Sequence, residues 1–92
     1  MAASGRRQLE IKELGDLCLG LLAEDPGQLA EFMGYSGYDP TALRRAVGTR
    51  QLAAGLIDYF AGNEPLMLSL CANNGFRPEE FMQVWHRLNP PS

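Results

Sequence analysis

What most constrains this chain is its punctuation. Asp25-Pro26, Asp39-Pro40 and Arg77-Pro78 each set a proline after a polar residue, Gly48 follows an apolar-periodic segment, and Pro90-Pro91 ends the last one. Proline lacks an amide hydrogen and clashes with the carbonyl four residues back, so it is excluded from a helix interior but fits the first turn. Glycine reaches the left-handed conformation that closes a helix. A chain cut this way can build only short helices.

Between the cuts, apolar residues recur at steps of three and four, the spacing of one helix face. The first helix is expected from about Gln8 to Glu24, with Leu14, Leu17, Cys18, Leu21 and Leu22 inward and Glu10, Glu13 and Asp16 in its early turns, where the macrodipole favours acids. Gly15 and Gly20 lower its helix propensity, so packing must hold it. Asp25 caps a second helix from Pro26 to about Tyr35, with Leu29, Phe32 and Met33 inward. Gln28 stands at the spacing of a capping box. Asp39-Pro40 opens a short third helix, with Leu43, Ala46 and Val47 inward, and Gly48 ends it. Thr49 caps a fourth, from Arg50 to Ala61, with Leu52, Leu56, Tyr59 and Phe60 inward. Asn63 caps a fifth, from Glu64 to about Asn73. Its Pro-Leu-Met-Leu-Ser-Leu-Cys-Ala stretch is apolar nearly all round, as expected of a central or interfacial helix. The sixth opens at Arg77-Pro78, with Phe81, Val84, Trp85 and Leu88 inward. No segment alternates with a period of two.

The sequence is also similar to itself. Shifted by 38, Gly37, Tyr38 and Pro40 fall on Gly75, Phe76 and Pro78, and Leu43, Ala46 and Val47 fall on Phe81, Val84 and Trp85. Asp25 falls on Asn63, one cap on another. Leu14, Cys18 and Leu22 fall on Leu52, Leu56 and Phe60, whereas Leu17 meets Gly55. Two copies are too few for a solenoid. The expected fold is all-α: one compact bundle of about six short helices over residues 8–89, built from two similar three-helix halves, about 8–47 and 49–88. A mobile segment, 1–7, precedes it and a tail, 90–92, follows. Under that duplication the fifth helix and its counterpart near Leu29 lie close to the centre.

The sequence LLAEDP, then LAEF, then glycine-aromatic-x-proline-x-x-Leu-Arg, and finally GFRPEEF, resembles a small alphaproteobacterial family of helical proteins known as domain of unknown function 3572. The resemblance covers about Leu14 to Leu88 and rests on caps, a turn and apolar spacing. It implies a compact all-α fold in a bacterial cytoplasm, and it transfers no catalytic residue.

Composition narrows the function classes. The net charge of −3 and 46% apolar content suit a folded domain and give no global pull toward nucleic acid. The longest apolar run near the N-terminus, Leu-Cys-Leu-Gly-Leu-Leu-Ala, is too short to span a bilayer, so no membrane association and a cytoplasmic location are expected. Cys18 and Cys71 read as buried reduced thiols. His86 is the only histidine and reads as a surface or boundary residue, which leaves no set of metal ligands. Glu79 and Glu80 are helix neighbours that do not share a face, a poor acid–base pair. No cofactor, no metal and no catalytic residue is therefore expected, and the chain reads as a non-enzyme.

Two binding readings remain. Leu66, Met67, Phe76, Met82 and Trp85 belong to an apolar supply generous for so small a domain. They are the expected interaction surface of an adaptor module that takes a protein partner or a second copy, a homodimer included. The alternative is a nucleic-acid-binding regulator with a helix-turn-helix-like segment around residues 26–50, whose Arg44, Arg45 and Arg50 would contact phosphates.

Overall fold

The caps form where the sequence marks them. In a computed structural model that describes residues 9–91, the Asp25 carboxylate accepts from the Gln28 amide at 3.3 Å and the Asp39 carboxylate from the Ala42 amide at 2.7 Å. Thr49 Oγ1 accepts from the Leu52 amide at 3.2 Å, and Asn63 Oδ1 from the Leu66 amide at 3.3 Å. Each such bond satisfies an amide that the first helical turn leaves without a partner, worth about 1 kcal/mol. Arg77 has no side chain suited to capping. There the Glu80 carboxylate accepts from the Arg77 amide at 2.8 Å, and the guanidinium lies 3.9 Å from the same oxygen.

Six helices follow: α1 Ile11–Ala23, α2 Pro26–Ser36, α3 Pro40–Ala46, α4 Arg50–Ala61, α5 Glu64–Asn74 and α6 Pro78–Leu88. Among the described residues there is no strand. α2 and α5 end on Gly37 (φ 85°) and Gly75 (φ 74°), both left-handed. The Gly37 amide donates to the Met33 carbonyl at 2.8 Å and the Phe76 amide to the Cys71 carbonyl at 3.1 Å, closing carbonyls that the last turns leave open.

The centre of the bundle differs from the sequence-based expectation. α5 is not the central helix. α1 and α4 form the most extensive helix pair and carry the largest share of the buried core, Leu14, Cys18 and Leu22 on one, Leu52, Ala53, Leu56, Ile57 and Phe60 on the other. The reason is a small-residue contact. A Cβ on Gly15 would stand 2.4 Å from the Ala53 Cβ, so only glycine lets the two backbones come this close. The propensity that Gly15 costs α1 is the condition for its packing. α5 instead buries one stripe, Met67, Leu70 and Cys71, and leaves Leu68 44% exposed.

The expected pair of like three-helix halves is not evident as a symmetric arrangement. α6 packs on α4 and α5 of its own half, whereas α3 packs on α4 of the other half. Val47, expected inward, is 52% exposed: α3 ends at Ala46, and Val47 leaves the helical stripe with φ −56° and ψ 131° before the turn at Gly48. Gln28 does not complete a capping box, because its side-chain oxygen accepts instead from the Tyr59 hydroxyl at 3.4 Å. The segments 1–7 and Ser92 of the expected tail lie outside the described residues.

Candidate functional site

Burial sorts the expected interaction residues. Met67 is a core residue, only 6% exposed, and Leu66, Phe76, Met82 and Trp85 are half-buried against the core. Met67 and Met82 share an open recess between α5 and α6 with Ala61, Glu64, Pro78 and Glu79. Of the five, Trp85 reaches a polar partner. Its indole N–H donates to Asp58 Oδ1 at 3.1 Å.

Asp58 is the hub of a cluster that the sequence does not announce. Its other oxygen accepts from the Tyr35 hydroxyl at 2.9 Å. One carboxylate on α4 thus ties α2 to α6 across the bundle surface. The bond to Asp58 is also the main reason the Tyr35 phenol is pushed above its ordinary value. Tyr35 is nevertheless 59% exposed. Its ring lies 5.1 Å from that of Tyr59, which sits edge-on to the buried Phe32 at 5.3 Å. Burial, then the nearby Glu31 charge, pushes the Tyr59 phenol up as well. Trp85 carries the exposed His86 edge-on at 5.2 Å. The result is a surface of tethered aromatic rings with an acidic centre. Aromatic residues set in polar surroundings were a visible signal, but 23 and 27 residues separate Tyr35 and Trp85 from Asp58.

The expected nucleic-acid contacts divide. Arg44 and Arg45 are exposed in the last turn of the seven-residue α3. Arg50, also exposed, lies at the first position of α4 and lines a different recess with Lys12 and Arg87.

Both cysteines are free and buried. Burial pushes both thiols up, and for Cys18 the proximity of Cys71 adds to the effect. The Cys71 thiol lies 3.7 Å from the Met67 sulfur. A thiol so raised is protonated at neutral pH and a poor nucleophile. Among the described residues no group of His, Cys, Asp and Glu is placed to hold a metal ion.

Residues 10–91 match a family model described as "Protein of unknown function (DUF3572)". The chain belongs to this family. Neither the curated proteins nor the solved structures contain a match to it. The match runs through all six helices of this DUF3572 protein and through Tyr35, Asp58 and Trp85.

Proposed function

We propose that this DUF3572 protein is a non-enzymatic interaction module of the bacterial cytoplasm, and that it docks a protein partner on the face formed by Tyr35, Tyr59 and Trp85. The observation that carries the reading is the Asp58 tether. Tyrosine and tryptophan are over-represented at binding hot spots because they offer large amphipathic area with few torsions. Here the Tyr35 and Trp85 rings are already held by hydrogen bonds to one carboxylate, and Tyr35 is largely exposed. Side chains ordered before binding lose less entropy on binding. The raised, buried thiols support a non-enzymatic role. A cytoplasmic setting accords with free cysteines and with the finding that no described helix is long and apolar enough to cross a membrane.

A photo-crosslinking residue at Tyr35 tests this in cells. A discrete adduct is expected from position 35 and none from Ser69, which is exposed on α5. An adduct at twice the monomer mass would identify the partner as a second copy. No adduct at 35, or the same pattern from 69, removes the proposal.

An internal duplication is part of the same reading. Its support is that Gly15 and Ala53, 38 residues apart and equivalent in the repeat, meet each other where α1 crosses α4. Equivalent positions touch in this way on a local two-fold axis.

Nucleic-acid binding is the second reading, favoured by Arg44 and Arg45, which are exposed and make no ion pair among the described residues. Replacing Arg44, Arg45 and Arg50 by Gln and titrating duplex DNA at low salt decides it: unchanged binding, or none by the parent, eliminates it.

A further inference from the structure

α1 and α4 begin side by side, and each sets a cation in its first turn, beside the acids Glu10 and Glu13 in α1 and with no acid in α4. Helix N-termini are electropositive, so acids belong there and cations raise the energy. Yet Lys12 is the second residue of α1 and Arg50 the first of α4. The two positions are also 38 apart and equivalent in the repeat. Both line one open recess of about 510 Å³, with Leu9, Glu10, Ile11 and Arg87. Arg87 comes from the last turn of α6, and its guanidinium donates to the Leu9 carbonyl, which fixes it at the rim.

Three cations from three helices therefore meet a single carboxylate, that of Glu10. Among the described residues, none of the three cations forms an ion pair, and the side chains of Lys12 and Arg50 form no hydrogen bond. On a chain of net charge −3, with 11 acids to draw on, this concentration of unneutralised positive charge stands out.

We propose that this recess binds a small molecule through a phosphoryl group carrying two or more negative charges. Arg87 and Arg50 supply planar guanidinium donors that suit phosphate oxygens, and Lys12 supplies a mobile point charge. The α4 N-terminus, which has no acid in its first turn, adds its positive end in the direction in which an anion benefits, whereas that of α1 is already met by the Glu10 and Glu13 carboxylates. The volume fits a small ligand. The site is a concavity, and Arg44 and Arg45 do not line it, which favours a compact anion over a nucleic-acid backbone. The site is separate from the aromatic face, whose residues it does not share.

Inorganic pyrophosphate is the probe. Titrations at constant ionic strength, with chloride as the balancing anion, are followed by amide NMR shifts and by thermal unfolding. Shifts centred on Leu9–Lys12 and Arg50 are expected, together with a rise in Tm on mass-action grounds. The double variant K12Q/R50Q is expected to weaken binding by about tenfold or more, the scale of a lost charge-assisted bond. Without ligand it should be at least as stable as the parent, because two cations leave helix N-termini. That separates lost binding from lost folding. R44Q/R45Q should bind pyrophosphate as the parent does. The proposal is overturned by shifts no larger than those from chloride, by equal losses in the two double variants, or by tighter binding to duplex DNA that K12Q/R50Q leaves intact.

Discussion

α3 and α6 open on the same signal, a left-handed glycine, an aromatic residue, a charged residue and a proline, yet α3 stops after seven residues and α6 runs for eleven. The start is local in origin, since proline and the cap act within one turn. The length depends on what each helix finds to pack against. α6 sets Phe81 and Val84 into the core and lies against both α4 and α5. α3 contributes one buried side chain, Leu43, and rests on α4. Two matching beginnings therefore do not guarantee two matching helices.

The largest effect that would break this comparison is expected at Phe81. Phe81→Ala empties a fully buried ring site and should cost about 4 kcal/mol, against about 2 kcal/mol for Leu43→Ala, where 8% of the residue is already exposed. Urea unfolding measures both, and equal losses would mean that α3 is as deeply anchored as α6.

The first helices of the two halves give the next test. Gly15→Ala forces a Cβ to within 2.4 Å of Ala53 and should cost about 2 kcal/mol. Gly20→Ala on the same helix meets nothing within 4 Å and should stabilise by up to about 1 kcal/mol. The opposite order would show that propensity, not the α1–α4 approach, sets the role of Gly15.

The shared turn signal should respond alike in both halves. Gly37→Ala and Gly75→Ala each place a side chain at positive φ with no other atom in the way, and each should cost about 1 kcal/mol. Pro78→Gly should cost less than Gly75→Val. A large inequality between the two glycines would mean that one turn is held by more than its own conformation.

The smallest expected effect is alkaline. Tyr35 has a folded pKa above its ordinary 10.0, so its contribution is complete below pH 10.0 and is lost as pH rises through the higher folded value. Both thiols, raised from 9.0, push in the same direction. The difference between parent and Tyr35→Phe isolates the phenol. The stability gap between the two should narrow above pH 10; a gap that stays constant would show that the Asp58 bond does not matter to folding.

Much of this was legible in advance. Six helices, four side-chain caps and three positive-φ glycines lie where the sequence marks them, because a cap or a glycine turn is decided within three or four residues. The apolar stripes named most of the core, including Leu14, Cys18, Leu22, Phe32 and Phe81. Ala53 and Ile57 were missed, since periodicity favours large residues and reads a stripe as narrower than it is. The apolar spacing places Val47 inside, but α3 ends at Ala46 and does not continue that spacing.

The candidate sites were less legible. Trp85 was identified as apolar surface, but Asp58 and Tyr35 carry no motif. They become a site only when α2, α4 and α6 converge. Lys12 had a usable signal, its equivalence to Arg50 under the 38-residue shift, whereas Arg87 reaches Leu9 across 78 residues of chain.

The sequence by itself determined where each helix starts and which face is apolar, because those are short-range consequences of proline, glycine, capping side chains and a 3.6-residue period. The tertiary structure alone decided that α1 and α4 form the centre, that α3 crosses to the other half, and that an aspartate collects two aromatic donors while three cations share a recess. Those outcomes depend on which small residues let backbones approach and on which side chains remain uncovered after the close-packed core has formed.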